Sequence, residues 1–127
     1  MGTVEAEATA TLAPIEVETS EEAHINELQP GQSVLVVRRG PAAGTKYTLE
    51  KDLVTVGRHP QSDIFLNDIT VSRRHAELRR EGQNYLVADL GSLNGTYVNR
   101  ARVDSSPLAS GDELQIGKFR LLFLVKE

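Results

Sequence analysis

The chain starts without a repeating apolar pattern and acquires one abruptly at residue 33. Across residues 1–30 Ala, Glu and Thr predominate, large apolar side chains are sparse, and no period of two or of 3.6 persists. Such a segment buries too little apolar surface to offset the entropy of ordering, so residues 1–30 read as a disordered arm ending at Pro30-Gly31. The run Val34-Leu35-Val36-Val37 then opens a series of short apolar pieces. Tyr47 with Leu49, Leu53-Val54 with Val56, Ile64-Phe65-Leu66, Ala76-Glu77-Leu78 and Tyr85-Leu86-Val87 make up its first half. Tyr97-Val98, Arg102-Val103, Leu114-Gln115-Ile116 and Phe119 to Val125 make up the second. Turn formers separate them, among them Gly40-Pro41, Glu81-Gly82-Gln83-Asn84 and Asn94-Gly95. Short strands spaced by turns predict an all-β domain over residues 31–127, built as a two-sheet sandwich or as a barrel. Asn94-Gly95 predicts a hairpin turn. Phe119 to Val125 barely alternates, which predicts a strand buried on both faces.

Length and composition narrow this picture. The 127 residues suffice for one domain with a tail. Cysteine is absent, which excludes a disulfide framework and thiolate metal ligands. No apolar run approaches bilayer length, and the N-terminus lacks the basic start and apolar centre of a secretory signal. A soluble, cytoplasmic protein with no membrane partner is the expectation.

The net charge of −4 is unevenly distributed. Glu5, Glu7, Glu16, Glu18, Glu21, Glu22 and Glu27 fall in the arm, which has no Lys or Arg. That leaves eleven acidic against all fourteen basic residues in the remainder, a body of about +3 carrying an acidic arm. The body is too weakly basic, and its arginines too poor in interleaved aromatics, for a nucleic-acid surface.

Three polar clusters sit at the edges of apolar pieces: Gly57-Arg58, Val71-Ser72-Arg73-Arg74-His75 and Gly91-Ser92-Leu93-Asn94-Gly95-Thr96. Arg58 follows a glycine where a strand opens into a loop, and a guanidinium fork suits a phosphate better than an ammonium does. Ser72 and Arg73 supply a short neutral donor and a long charged one to the same anion. His75 leads into the next strand and reads as a residue that ties its loop down. A hydrolase triad of Ser72, His75 and Asp89 would need a nucleophile elbow, which does not surround Ser72. The Gly-Ser-Leu-Asn-Gly-Thr run lacks the lysine and following helix of a nucleotide-binding loop. With no paired carboxylates, metal cluster or activated nucleophile, the pattern is that of a binding module and not of an enzyme, and it requires no cofactor or metal.

Taken together, Gly57-Arg58, Ser72-x-x-His75 and Asn94-Gly95-Thr96, with Val98-Asn99 and Gly111-Asp112, resemble the signature of forkhead-associated (FHA) domains over residues 33–126. The resemblance implies a β-sandwich of about eleven strands whose loops at one end recognise phosphothreonine. It implies that Arg58 and Ser72 hold the phosphate, that Arg73 supports the phosphate or the peptide, that Asn94 bonds the peptide main chain and that Leu93 lines the edge. Gly57, His75, Gly95 and Thr96 are then structural. Val36-Val37-Arg38-Arg39-Gly40-Pro41, Gly57-Arg58-His59-Pro60, Ser62-Asp63-Ile64-Phe65-Leu66 and Gln115-Ile116-Gly117-Lys118-Phe119-Arg120 are similar to an actinobacterial subgroup. That subgroup includes the glycogen-accumulation regulator and the 2-oxoglutarate dehydrogenase inhibitor.

Its members have an N-terminal arm phosphorylated on threonine by Ser/Thr protein kinases. Unphosphorylated, they bind and inhibit the E1 component of 2-oxoglutarate dehydrogenase, and some regulate glutamate dehydrogenase and glutamate synthase. Phosphorylated, they close the arm onto their own FHA site. Val17-Glu18-Thr19-Ser20 resembles the acidic phosphoacceptor segment, with Thr19 as acceptor. Here Thr19 stands alone and Ser20-Glu21-Glu22 follows, where the subgroup has adjacent threonines and then small and apolar residues. About fourteen residues connect Thr19 to Ser33, an extended reach of roughly 45–50 Å against a domain radius of gyration near 13 Å. The other reading open at this level is an FHA adaptor that recruits a different phosphoprotein and carries an inert arm. A monomer is expected in either case.

Overall fold

The computed structural model describes residues 23–127. Among these residues eleven strands form two sheets. In chain order these are β1 (Ser33–Arg39), β2 (Lys46–Leu49), β3 (Leu53–Gly57), β4 (Ile64–Phe65), β5 (Ala76–Glu81) and β6 (Asn84–Asp89). They continue with β7 (Thr96–Val98), β8 (Ala101–Val103), β9 (Ser105–Pro107), β10 (Glu113–Ile116) and β11 (Phe119–Val125). The six-stranded sheet runs β2-β1-β11-β10-β7-β8 and the five-stranded sheet β9-β6-β5-β3-β4. All neighbours are antiparallel except the short β3·β4 pair. This is a β-sandwich, and the barrel alternative falls away.

The core follows from period-two alternation. Leu35 lies opposite Phe123, and Val37 opposite Leu121, on the inner face of one sheet. Val54, Leu78 and Val87 form a continuous row on the inner face of the other. Tyr85 meets Phe123 edge-to-face across the gap, with centroids 6.5 Å apart, while its hydroxyl donates to Lys51 O at 2.7 Å. Among the described residues no helix is long and apolar enough to cross a membrane.

β11 is buried on both faces, and so is most of β1. The cover on their outer face comes from the segment assigned by sequence to the arm. Residues 23–27 are helical, and Ile25 and Leu28 pack on Val34, Val36, Leu122 and Leu124. Gly31 N donates to Lys126 O, Lys126 N donates to Gln32 O, and Glu27 pairs with Lys46. The disordered reading of residues 1–30 is therefore corrected for residues 23–30. Two apolar residues three apart are too few to register as a helical period, yet they suffice once an apolar sheet face lies beneath them. Residues 1–22, with Thr19, lie outside the described residues.

The hairpin expected at Asn94-Gly95 is also corrected. That turn carries the chain from β6 in one sheet to β7 in the other. The tight hairpin lies just beyond, between β7 and β8, where Asn99 and Arg100 both adopt positive φ (50° and 73°), as a type I′ turn requires. β9 escapes sequence reading because Ser105-Ser106-Pro107 is a polar edge strand with no apolar alternation.

Candidate functional site

Three loops meet at one end of the sandwich. The first follows β3, the second precedes β5, and the third joins β6 to β7. β3 ends at Gly57 because nothing larger fits: a Cβ there would lie 2.1 Å from Arg73 O. With the backbones in direct contact, Arg58 N donates to Ser72 O at 3.0 Å and His59 N donates to Arg73 O at 3.2 Å. Arg58 is half-buried, and its Nε donates to Val71 O at 3.1 Å. That bond aims the guanidinium and leaves its terminal nitrogens without a protein partner among the described residues. Neither Arg58 nor Arg73 belongs to any of the four ion pairs there.

Ser72 Oγ accepts from Leu93 N at 3.0 Å, so its own proton remains available to an anion. Asn94 Nδ2 donates to Thr70 O at 3.0 Å and ties the third loop to the second. Arg73, Leu93 and Asn94 are exposed, Leu93 at 85%. The structure thus brings Arg58, Ser72, Arg73, Leu93 and Asn94 to one rim.

His75 is fully buried beneath that rim. Its Nδ1 accepts from Ser72 N at 3.1 Å, so Nε2 carries the proton and donates to Gly95 O at 2.9 Å. One ring therefore bridges two loops. Burial pushes the imidazole below its ordinary value of 6.5, against the opposing pull of Gly95 O and the Asp89 carboxylate. A histidine whose folded pKa is depressed contributes its full stability above the unfolded value and loses it as pH falls below about 6.5 toward the folded pKa. The urea midpoint is accordingly expected to be lower near about pH 5.5 than near about pH 7.5. An NMR titration of the His75 ring that tracked a free histidine would contradict this.

The third loop is wound around Asp89. Its carboxylate accepts from Ser92 Oγ, from Thr96 Oγ1 at 2.7 Å, from Gly91 N at 3.0 Å and from Ser92 N at 3.1 Å. Burial works to raise this carboxyl, but the Ser92 and Thr96 hydrogen bonds prevail and hold it below the usual carboxylate range. Ser92 Oγ in turn accepts from Gly95 N at 3.0 Å, and Thr96 is fully buried. These bonds also dispose of the triad: His75 faces the Ser72 main chain, not its hydroxyl, and Asp89 is committed to the loop.

Sequence reasoning missed Ser92 and Asp89 as supports, although Asp followed two residues later by Gly-Ser is a turn signal. It missed Thr70 altogether. Thr70 Oγ1 donates to Asp68 and accepts from Lys118 N at 2.9 Å, and its hydrogen bonds hold Asp68 below its ordinary pKa. Gly117, at φ +58°, lies against Thr70, where a Cβ would come within 2.4 Å of Oγ1. The β10–β11 turn therefore buttresses the second loop. No local pattern marks that contact, because 48 residues separate the partners.

The site presents two cations, a hydroxyl and a carboxamide on one rim, with the His75 bridge buried behind them. Such a set suits a phosphorylated segment, its phosphate on the arginines and Ser72 and its main chain within reach of Asn94. A family model for the FHA domain matches residues 54–117, which contain all of these residues. The chain belongs to the FHA domain family.

Within that family it is 61% identical over 100 residues to the glycogen accumulation regulator of Mycobacterium tuberculosis, covering 79% of this chain and 62% of that protein. It is 60% identical over 102 residues to the oxoglutarate dehydrogenase inhibitor of Corynebacterium jeikeium, covering 80% of this chain and 71% of that one. The chain thus spans less than two thirds of the length of the glycogen accumulation regulator. A solved FHA domain, studied for phosphothreonine-dependent FHA interactions, superimposes with a TM-score of 0.70 at 35% identity over 76% of this chain and 98% of that one. The relatives' names denote regulators and inhibitors, so this FHA domain stands among regulatory proteins.

Proposed function

We infer that this chain is a phosphothreonine-binding regulator of central carbon and nitrogen metabolism, gated by phosphorylation of its own arm. The observation that carries the reading is the Arg58 guanidinium, aimed by its bond to Val71 O, at the loop end that also holds the Ser72 hydroxyl and the exposed Arg73, neither arginine having an ion-pair partner among the described residues. Two cations without ion-pair partners among the described residues call for an anion, and phosphothreonine supplies about −1.5 to −2 charges with three acceptor oxygens.

In the unphosphorylated state the protein binds and inhibits the E1 component of 2-oxoglutarate dehydrogenase, in keeping with relatives named as inhibitors of that enzyme. Glutamate dehydrogenase and glutamate synthase are further targets of the same state. A Ser/Thr protein kinase modifies Thr19, the acceptor among acidic residues, and the phosphorylated arm then occupies the loop site. Arg58, Ser72 and Arg73 hold the phosphate, Asn94 the main chain, and Leu93 the edge.

The test is an inhibition assay on 2-oxoglutarate dehydrogenase with the protein before and after kinase treatment. Inhibition is expected to disappear on phosphorylation of the parent and to persist in kinase-treated Thr19→Ala. Equal inhibition by phosphorylated and unphosphorylated parent would overturn the gating and leave an adaptor with an inert arm.

A further inference from the structure

A second recess lies beside the phosphate rim, on the outer face of the five-stranded sheet. It is an open cleft of about 380 Å³ between Leu53 on β3 and Leu90 just past β6. Both leucines are exposed to solvent, at 46% and 38%. His59 and Arg74 form its side toward the rim. Each follows an arginine of the rim by one residue, and the bond from His59 N to Arg73 O joins the two segments. Successive side chains of an extended chain point to opposite sides. The paired loops thus give Arg58 and Arg73 to the rim, His59 and Arg74 to the cleft.

The polar groups of the cleft divide into satisfied and free. Thr55 Oγ1 donates to Asp63 at 3.1 Å and accepts from Asp63 N at 2.9 Å, and Glu77 is paired with Arg79 at 2.8 Å. Arg74 has no ion-pair partner among the described residues. His59 Nδ1 accepts from Gln61 N at 3.0 Å, so Nε2 carries the proton of the neutral ring and is left to donate. What stays open is the apolar surface of two leucines with a cation and a ring N–H at one side. That combination complements a leucine-sized side chain with a carboxylate next to it.

We propose that this cleft is a second recognition subsite for phosphoprotein partners. With phosphothreonine on the rim, an apolar residue three or four positions away along the same partner chain settles between Leu53 and Leu90. The carboxylate of its acidic neighbour meets Arg74 and His59. The proposal rests on the reading that phosphothreonine occupies the rim. Continuity with that rim selects the occupant, because the wall between them is the paired main chain of the two loops. From Gly57 to Thr55, which lines the cleft, is about 7 Å along β3, and the wall adds roughly 5 Å. An extended chain covers such a distance in about three to four residues. Any phosphothreonine satisfies the rim, so the cleft supplies a choice among partners that the phosphate alone does not.

The test is a calorimetric titration of the full chain with designed phosphothreonine peptides. One carries Leu-Glu at the fourth and third positions before the phosphothreonine, another at the third and fourth positions after it, and alanine replaces both residues in matched counterparts. One of the two Leu-Glu peptides is expected to bind about tenfold more tightly than its counterpart. It should also shift the Thr55, Glu77 and Leu90 amides in NMR spectra, which the counterpart leaves still. The gain should vanish in Leu90→Ser and in Arg74→Gln, while both variants bind the alanine peptides as the parent does, which shows them folded. No gain from either peptide would overturn the subsite and leave the rim assignment standing. A gain that survives in Leu90→Ser would place the leucine elsewhere and also overturn it. Failure of the alanine peptides to bind the parent would remove the rim assignment itself, and the subsite with it.

Discussion

Arg58→Ala is expected to reduce affinity for a phosphothreonine peptide by at least about a hundredfold, close to 3 kcal/mol, while the domain stays folded. The lost guanidinium is the one whose direction is fixed from behind, through the Nε bond to Val71 O. An exposed arginine such as Arg73 must be ordered on binding, whereas Arg58 arrives oriented. The fold should survive because the strand-like bond from residue 58 N to Ser72 O belongs to the main chain. Arg58→Lys keeps the charge but not the fork, and should recover only part of the affinity. A calorimetric titration reads both, and unchanged affinity in Arg58→Ala would remove Arg58 from the site.

Asp89→Ala is expected to be the most destabilising substitution at the loop end, by about 3 kcal/mol or more. Four donors lose their acceptor at once. The Thr96 hydroxyl is buried, and an unpaired buried hydroxyl costs more than the bond it once made. The thermal midpoint should drop by roughly 10–20 °C in a domain of this size. Peptide affinity should fall as well, since the Asp89–Ser92–Gly95 bonds position Leu93 and Asn94. Asp89→Asn, which still accepts two of the bonds, should lie between parent and Ala. A midpoint within about 2 °C of the parent would show that the loop does not depend on this carboxylate.

These expectations draw unequally on the sequence. Gly57-Arg58, Ser72 and Asn94 are legible because each stands at a strand end in a recognisable order. Their supports are not. Thr70 is buttressed by a turn near residue 118, and Asp89 shows no role in the sequence until its four donors are seen. Asn94-Gly95 carries the composition of a hairpin, yet it crosses between sheets, because the residues on either side pair with different partners. The helix over 23–27 is invisible locally, for its stability comes from the face beneath it.

The sequence by itself determined the all-β class, the short apolar pieces that become strands and the three polar clusters, since period, turn chemistry and side-chain donors are local properties. Only the tertiary structure decided that those clusters share one rim. It also decided that His75 is a buried brace and that the nearest part of the arm is fastened to the outer face of the six-stranded sheet. Each of these is settled by contacts between residues far apart in the chain, and such contacts leave no period for a sequence to display.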